Sequence, residues 1–282
     1  EYDAFIRSIK QNKNVSHAVL LGAGASISSQ IQSAADCIWE WKRDIYSSNN
    51  PNTTLIVSNF RSESVRRSIQ AWLDGQGEYP MMGASDEYSF YAEKAYPIEA
   101  DRQKYFEQLA YNKAPYIGYK LLCLLNNAGL IKSVWTTNFD GLTERAAHQM
   151  NITPICITLD DPERIFRNEN SHELLYIALH GDYKYSKLKN TTHELDTQNN
   201  IFRDALKRYF VDKNLIVIGY SGRDKSLMNA LKEAFSQSGS GRLYWCGFGD
   251  DICSDVKELI DIARSNNRIA YFIPTDGFDK TM

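Results

Sequence analysis

The stretch His17-Ala18-Val19-Leu20-Leu21-Gly22-Ala23-Gly24-Ala25-Ser26 decides how this chain folds. An apolar run of strand length stops at two glycines one residue apart, and a segment with helical periodicity, 34–46, follows it. Strand, tight glycine turn and helix make the opening unit of a doubly wound α/β sheet. The design recurs three times. Apolar runs 133–136, 174–179 and 215–218 lead into Thr137-Asn138-Phe139-Asp140-Gly141, Leu179-His180-Gly181-Asp182 and Gly219-Tyr220-Ser221. Parallel strands would deliver all four polar motifs to the carboxyl edge of one sheet, where open α/β sheets hold ligands.

Outward from these motifs, helices and strands alternate. A short amphipathic helix over 2–11 precedes the first strand. Helix 115–127, strand 131–136, helix 141–150 and strand 155–159 follow, and helix 201–211, strand 215–219, helix 225–236, strand 243–247, helix 254–265 and strand 269–273 complete the pattern. The fold class is therefore α/β, a doubly wound, mostly parallel sheet. Residues 47–112 interrupt the alternation. A Ser/Asn/Pro loop at 47–54, helix 62–73, a loop at 75–83 and a mostly helical 85–110 read as a helical insertion. Two polar segments, 160–171 and 183–200, flank the His180 strand and read as a small lobe or lid at about 160–200.

Composition agrees with one main domain. The 282 residues are 43% hydrophobic, enough for a large core near the size at which single cores split. The net charge of -3 gives no overall basic field, so no nucleic-acid or membrane partner is expected. No apolar run approaches the roughly 20 residues that span a bilayer. Five scattered cysteines without a Cys-x-x-Cys pair, and no secretory signal, read as a reducing cytoplasm without a zinc ribbon; Cys123 and Cys156 lie in apolar runs and read as core. The first residue is Glu1 and the last is Met282, without a cap or polar tail, which reads as the N-terminal part of a longer protein.

Each motif has a chemical and a purely structural reading. Gly22, Ala23 and Gly24 allow close approach of backbone to a pyrophosphate, and Ser26, Ser28 and Ser29 with the following N–H groups can donate to phosphate oxygens. A serine-rich turn capping a helix would look the same, and Ile27 stands where a full dinucleotide fingerprint has its third glycine. Asn138 can hold a ribose hydroxyl or a water, or form an Asx turn; Asp140 can orient that amide or cap the helix that begins at Gly141. His180 is the histidine at the sheet's carboxyl edge and can accept a proton near neutral pH, although a histidine there can also be structural. His17 begins a strand, His148 ends a helix, and His172 and His193 lie in polar loops. Gly219 permits close ligand approach, Ser221 offers a hydroxyl, and Asp224 is placed to N-cap the next helix.

Gly-Ala-Gly-Ala-Ser, Thr-Thr-Asn-Phe-Asp-Gly-Leu, Leu-His-Gly-Asp and Ile-Gly-Tyr-Ser, in this order over residues 15–247, resemble the sirtuin fold family. The resemblance implies a Rossmann-like NAD-binding domain with Asn138 and His180 at the nicotinamide ribose. It assigns Gly22, Ala23, Gly24 and Ser26 to phosphate, and Gly219 and Ser221 to phosphate and adenosine. The chain departs from protein deacylases, lacking their four-cysteine zinc module. It also carries Gln30-Ile31-Gln32-Ser33-Ala34-Ala35 where they carry Gly-Ile-Pro-Asp-Phe-Arg.

In this it is most similar to the sirtuin-like domains of bacterial antiphage defence proteins. That similarity implies hydrolysis of NAD to nicotinamide and ADP-ribose, without a metal, by a homo-oligomer fused to a C-terminal sensor or ATPase domain. Asn138 would hold the ribose or the attacking water, His180 would accept a proton, and Asp140 would support Asn138. An NAD- or ADP-ribose-sensing module without turnover, a scaffold, and a deacylase or ADP-ribosyltransferase are the rival expectations.

Overall fold

A computed structural model describes residues 2–12, 15–53, 59–84, 86–167, 170, 173–181 and 200–282. Among them, seven strands form one sheet: β1 (His17–Leu21), β2 (Ile131–Thr136), β3 (Thr153–Ile157), β4 (Glu173–Ala178), β5 (Asn214–Ile218), β6 (Leu243–Phe248) and β7 (Ala270–Thr275). Their order is β3-β4-β2-β1-β5-β6-β7, and every pairing is parallel. The strand order reverses between β1 and β5, the switch point at which loops diverge to opposite sides and leave a crevice. Leu21 pairs with both Thr136 and Ile218, and Thr136 pairs with Ala178. The four polar motifs therefore begin level with one another at one edge.

Alternation along the strands divides the core. Ala18, Leu20, Trp135, Leu175, Ile177, Val217 and Trp245 point to one face, covered by the helices Asn200–Tyr209, Lys225–Phe235 and Ser254–Ser265. Val19, Leu21, Val134, Leu174, Tyr176, Ile216 and Ile218 point to the other, covered by Ile117–Asn127 and Leu142–Gln149. Burial on both faces is why these strands read as unbroken apolar runs.

A third apolar cluster belongs to the helices Ala34–Asn49, Glu63–Gln76, Glu87–Ala95 and Glu99–Ala110, around the fully buried Trp41 and Tyr91. Inside it, Lys42 Nζ meets Glu87 Oε1 at 2.5 Å and Gln70 Oε1 at 2.7 Å, and lies over the rings of Trp39 and Tyr91. A buried ammonium is tolerated only with such partners.

Several local boundaries differ from the sequence expectation. The helix expected at 34–46 runs to Asn49, so the loop expected at 47–54 starts later; a capping box of Ser33 and Asp36 anchors its start. The helix Glu63–Gln76 absorbs Gly75 and stops where Gly77 turns left-handed, at φ 70°. The mostly helical stretch expected over 85–110 is two helices, broken around Pro97, which lacks an N–H and disfavours helix at the residue before it. β3 lies two residues earlier than expected and accommodates Pro154 as an edge strand. Cys156, on that edge, is half-buried rather than core, whereas Cys123 is buried. Of the segment expected as a lid at 160–200, residues 168, 169, 171, 172 and 182–199 lie outside the described residues, and His172, Asp182 and His193 are among them.

Candidate functional site

The glycine motif after β1 is a 3₁₀ turn, Ala23–Ser29. Gly24 N–H donates to the Gly219 carbonyl at 2.8 Å, and Gly22 N–H donates to the Ile218 carbonyl at 3.1 Å. A Cβ on Gly22 would stand 2.5 Å from Tyr220 Cα, and one on Gly24 would stand 2.9 Å from the Gly219 oxygen. Gly219, at φ 67°, would drive a Cβ into the backbone nitrogen of Ala25. The two loops flanking the switch point are packed backbone on backbone, and all three glycines are required for that contact. Ala23 and Gly24 are exposed, with Gly22 buried beneath them.

Ser26 is fully buried and its hydroxyl is a hub. It donates to Asp140 Oδ2 at 2.5 Å. With its one hydrogen spent there, it accepts from Asn138 Nδ2 at 3.0 Å and from the Tyr119 hydroxyl at 2.8 Å, filling both lone pairs. Burial, and then the nearby Asp140 charge, push the Tyr119 phenol well above its ordinary range, so it stays protonated and can donate. The Ser26 hydroxyl, expected to donate to phosphate, here gives its hydrogen to Asp140. Asp140 Oδ1 accepts from Leu142 N–H at 2.9 Å, so one carboxylate both caps the helix Leu142–Gln149 and anchors Ser26.

Asn138 spends both amide hydrogens on the protein, on the Gly22 carbonyl and Ser26 Oγ, each at 3.0 Å. Its backbone N–H is held by Thr136 Oγ1. The amide is thereby fixed, and Oδ1, an acceptor, has no hydrogen bond among the described residues. Next to it the Phe139 ring lies 4.7 Å from Phe106 and 6.4 Å from His180. Arg145 donates to the carbonyls of Asp140, Ala110 and Lys113, tying this loop to the end of the helix Glu99–Ala110.

His180, largely buried, places Nε2 2.8 Å from Asp224 Oδ2. Asp224 Oδ1 meanwhile accepts from Ser226 and Leu227 N–H, at 2.9 and 3.2 Å, as the N-cap of Lys225–Phe235. Burial works to raise the Asp224 carboxyl, but the hydrogen bond and charge of His180 and the two backbone N–H groups outweigh it and hold the carboxyl below its ordinary value. Sequence reading placed Asp224 only as a cap; the contact with His180 had no local signal, because the two residues are 44 apart. Tyr119 was likewise missed. Ser221 is exposed and stands outside both networks, its carbonyl facing Cys253 Sγ at 3.5 Å.

The structure thus brings Gly22, Gly24, Ser26, Asn138, Asp140 and Gly219 into one continuous assembly, with His180 beside it across Phe139. Among the described residues no group of three His, Cys, Asp or Glu could hold a metal ion, and no helix is long and apolar enough to cross a membrane.

A parallel, doubly wound sheet with an amide and an imidazole held at the carboxyl edge beside its switch point defines a Rossmann-like domain. The model of the SIR2-like domain family matches residues 132–270, slightly under half of the chain and from β2 to the start of β7. Two solved sirtuin structures concerned with the structural basis of substrate affinity match with TM-score 0.47 and 14% identity. They cover 100% and 99% of this chain, and 96% and 94% of theirs. A structure of Sir2Tm bound to a propionylated peptide matches with TM-score 0.42 and 15% identity, covering 100% of this chain and 95% of that one. Among curated proteins no sequence matches the chain.

Proposed function

We propose that this domain hydrolyses NAD to nicotinamide and ADP-ribose, with Asn138 and His180 at the reacting ribose. One observation carries the reading: among the described residues neither Asn138 Oδ1 nor the Nδ1 of His180 has a hydrogen-bond partner, while the Asn138 amide hydrogens and the His180 Nε2 are engaged. An amide whose hydrogens are both spent can only accept, which suits a water or ribose hydroxyl donating to it. An imidazole with one open nitrogen suits the proton that such a water must lose. The backbone of Ala23, Gly24 and Gly219, with Ser221, would hold the diphosphate and adenosine.

Positive charge develops on the ribose as its bond to nicotinamide breaks. Catalysis of such a step comes from positioning and from fixed dipoles. The buried network of Ser26, Tyr119 and Asp140 supplies the fixing, since it leaves the Asn138 amide no alternative orientation. We further propose, on the motif resemblance, that the domain depletes NAD in antiphage defence, works in the cytoplasm as a homo-oligomer, and is joined to a C-terminal sensor or ATPase domain.

Release of nicotinamide and ADP-ribose from NAD, followed at several protein concentrations, tests the reading. His180→Ala and Asn138→Ala should each lose about 10²–10⁴-fold in turnover with the fold retained. Near-normal turnover in either folded variant would overturn its role. NAD binding with no release at any concentration would favour a sensor instead.

A further inference from the structure

His180 and Asp224 follow β4 and β5, which are separated in the sheet by β2 and β1. Three strand spacings put those strands about 14 Å apart. The two loops must therefore lean over the carboxyl edge to bring Nε2 within 2.8 Å of Oδ2. Capping the helix Lys225–Phe235 requires only one side-chain oxygen, and serine or asparagine would provide it. Asp224 has a second oxygen, and that oxygen faces an imidazole with its carboxylate held in the charged form. A carboxylate can only accept, so the nitrogen facing it carries the hydrogen.

We propose that Asp224 is a positioning residue that fixes His180 as the Nε2–H tautomer and leaves Nδ1 as the nitrogen that takes the proton. The consequence for turnover rests on the hydrolysis reading above; the tautomer does not. In the step so described, the water O–H bond breaks and its oxygen bonds to the ribose anomeric carbon. The proton goes to Nδ1, and the electron pair of the broken C–N bond goes to the nicotinamide ring nitrogen. The imidazolium so formed has the Asp224 carboxylate beside it. Without that carboxylate the ring can present either nitrogen, and the productive one only part of the time.

Asp224→Asn separates the two roles of the residue. Asparagine caps a helix about as well as aspartate, so the fold is kept. With Oδ1 held by the Ser226 and Leu227 N–H groups, its amide nitrogen turns to the ring and donates, which forces the proton onto Nδ1. In the full chain labelled with ¹⁵N-histidine, the resonances absent from His180→Gln report His180. The expected result is Nε2–H in the wild type, Nδ1–H in Asp224→Asn, and a fall in kcat of about 10²-fold or more with KM little changed. Nδ1–H in the wild type, the wild-type tautomer in Asp224→Asn, or a folded Asp224→Asn with kcat within a few-fold of normal overturns the proposal. Asp224→Ser keeps a cap without touching the ring and should lose the strict Nε2–H preference; wild-type tautomer and kcat there also overturn it. A wild-type protein that releases no nicotinamide defeats the hydrolysis reading alone, and the ¹⁵N measurement then decides the role of Asp224.

Discussion

Ser26 donates to Asp140 Oδ2 at 2.5 Å across 114 residues of chain, with the hydroxyl sealed from solvent. This bond joins the turn after β1 to the loop after β2, and the Asn138 amide is held by the same oxygen. Ser26→Ala leaves the carboxylate, the amide and the Tyr119 hydroxyl each short of a partner. The expected cost is about 1–3 kcal/mol in chemical unfolding, with a loss of kcat. A phosphate-binding serine would behave differently, raising KM while stability stayed unchanged.

The same packing of loops makes Gly219→Ala severe. Its left-handed φ of 67° costs a non-glycine residue about 1–3 kcal/mol, and the added carbon also collides with the Ala25 nitrogen. Gly83→Ala is the control: φ is 85° there, but nothing stands within 4 Å of the new carbon. Thermal unfolding should show a clearly larger drop for Gly219→Ala, and under the proposed function NAD binding should be lost with it.

His17 gives the domain an acid-sensitive joint. Asn214 Oδ1 accepts from Arg242 N–H, so its amide nitrogen faces His17 Nε2, at 3.2 Å, as a donor. Protonation at Nε2 would set two donors against each other. Burial is the main reason that His17 titrates below its ordinary value, opposed by backbone hydrogen bonds and assisted by the Arg242 charge. Below about pH 6.5 the unfolded chain therefore binds a proton that the folded chain refuses. Stability is full above that pH and declines as pH falls toward the lowered folded value, by at most about 1.4 kcal/mol per pH unit. Denaturant unfolding between pH 7.5 and 5.5 should show this slope, and His17→Gln should flatten it.

Lys42→Met strands the Glu87 carboxylate inside the helical layer. Breaking one side of a buried pair costs about 3–5 kcal/mol. Among the described residues, Glu87 would retain only the Gly83 N–H, at 2.9 Å, of its strong donors. Removing both charges in Lys42→Met/Glu87→Met should recover most of the loss in melting temperature. A double variant no better than the single one would show that the pair itself, rather than the stranded charge, supplies the stability.

The amino-acid sequence by itself determined the strands of the sheet and the edge at which its polar motifs emerge. Those features depend on local periodicity: apolar runs buried on both faces, glycine where the chain turns sharply, and polar residues where it leaves the core. His17–Leu21 and the runs feeding Asn138, His180 and Gly219 could be placed from their neighbours alone. Local signals also located the helices, less sharply at ends set by single residues such as Pro97 and Gly77. Only the tertiary structure decided what those motif residues touch. Ser26, Tyr119, Asn138 and Asp140 meet because β1 lies beside β2. Gly24 meets Gly219 because β1 also lies beside β5. His180 reaches Asp224 although β2 and β1 lie between the strands that they follow. Strand order is a property of the whole chain's packing, so the partners that it creates, from 44 to well over a hundred residues apart, leave no trace in any local pattern.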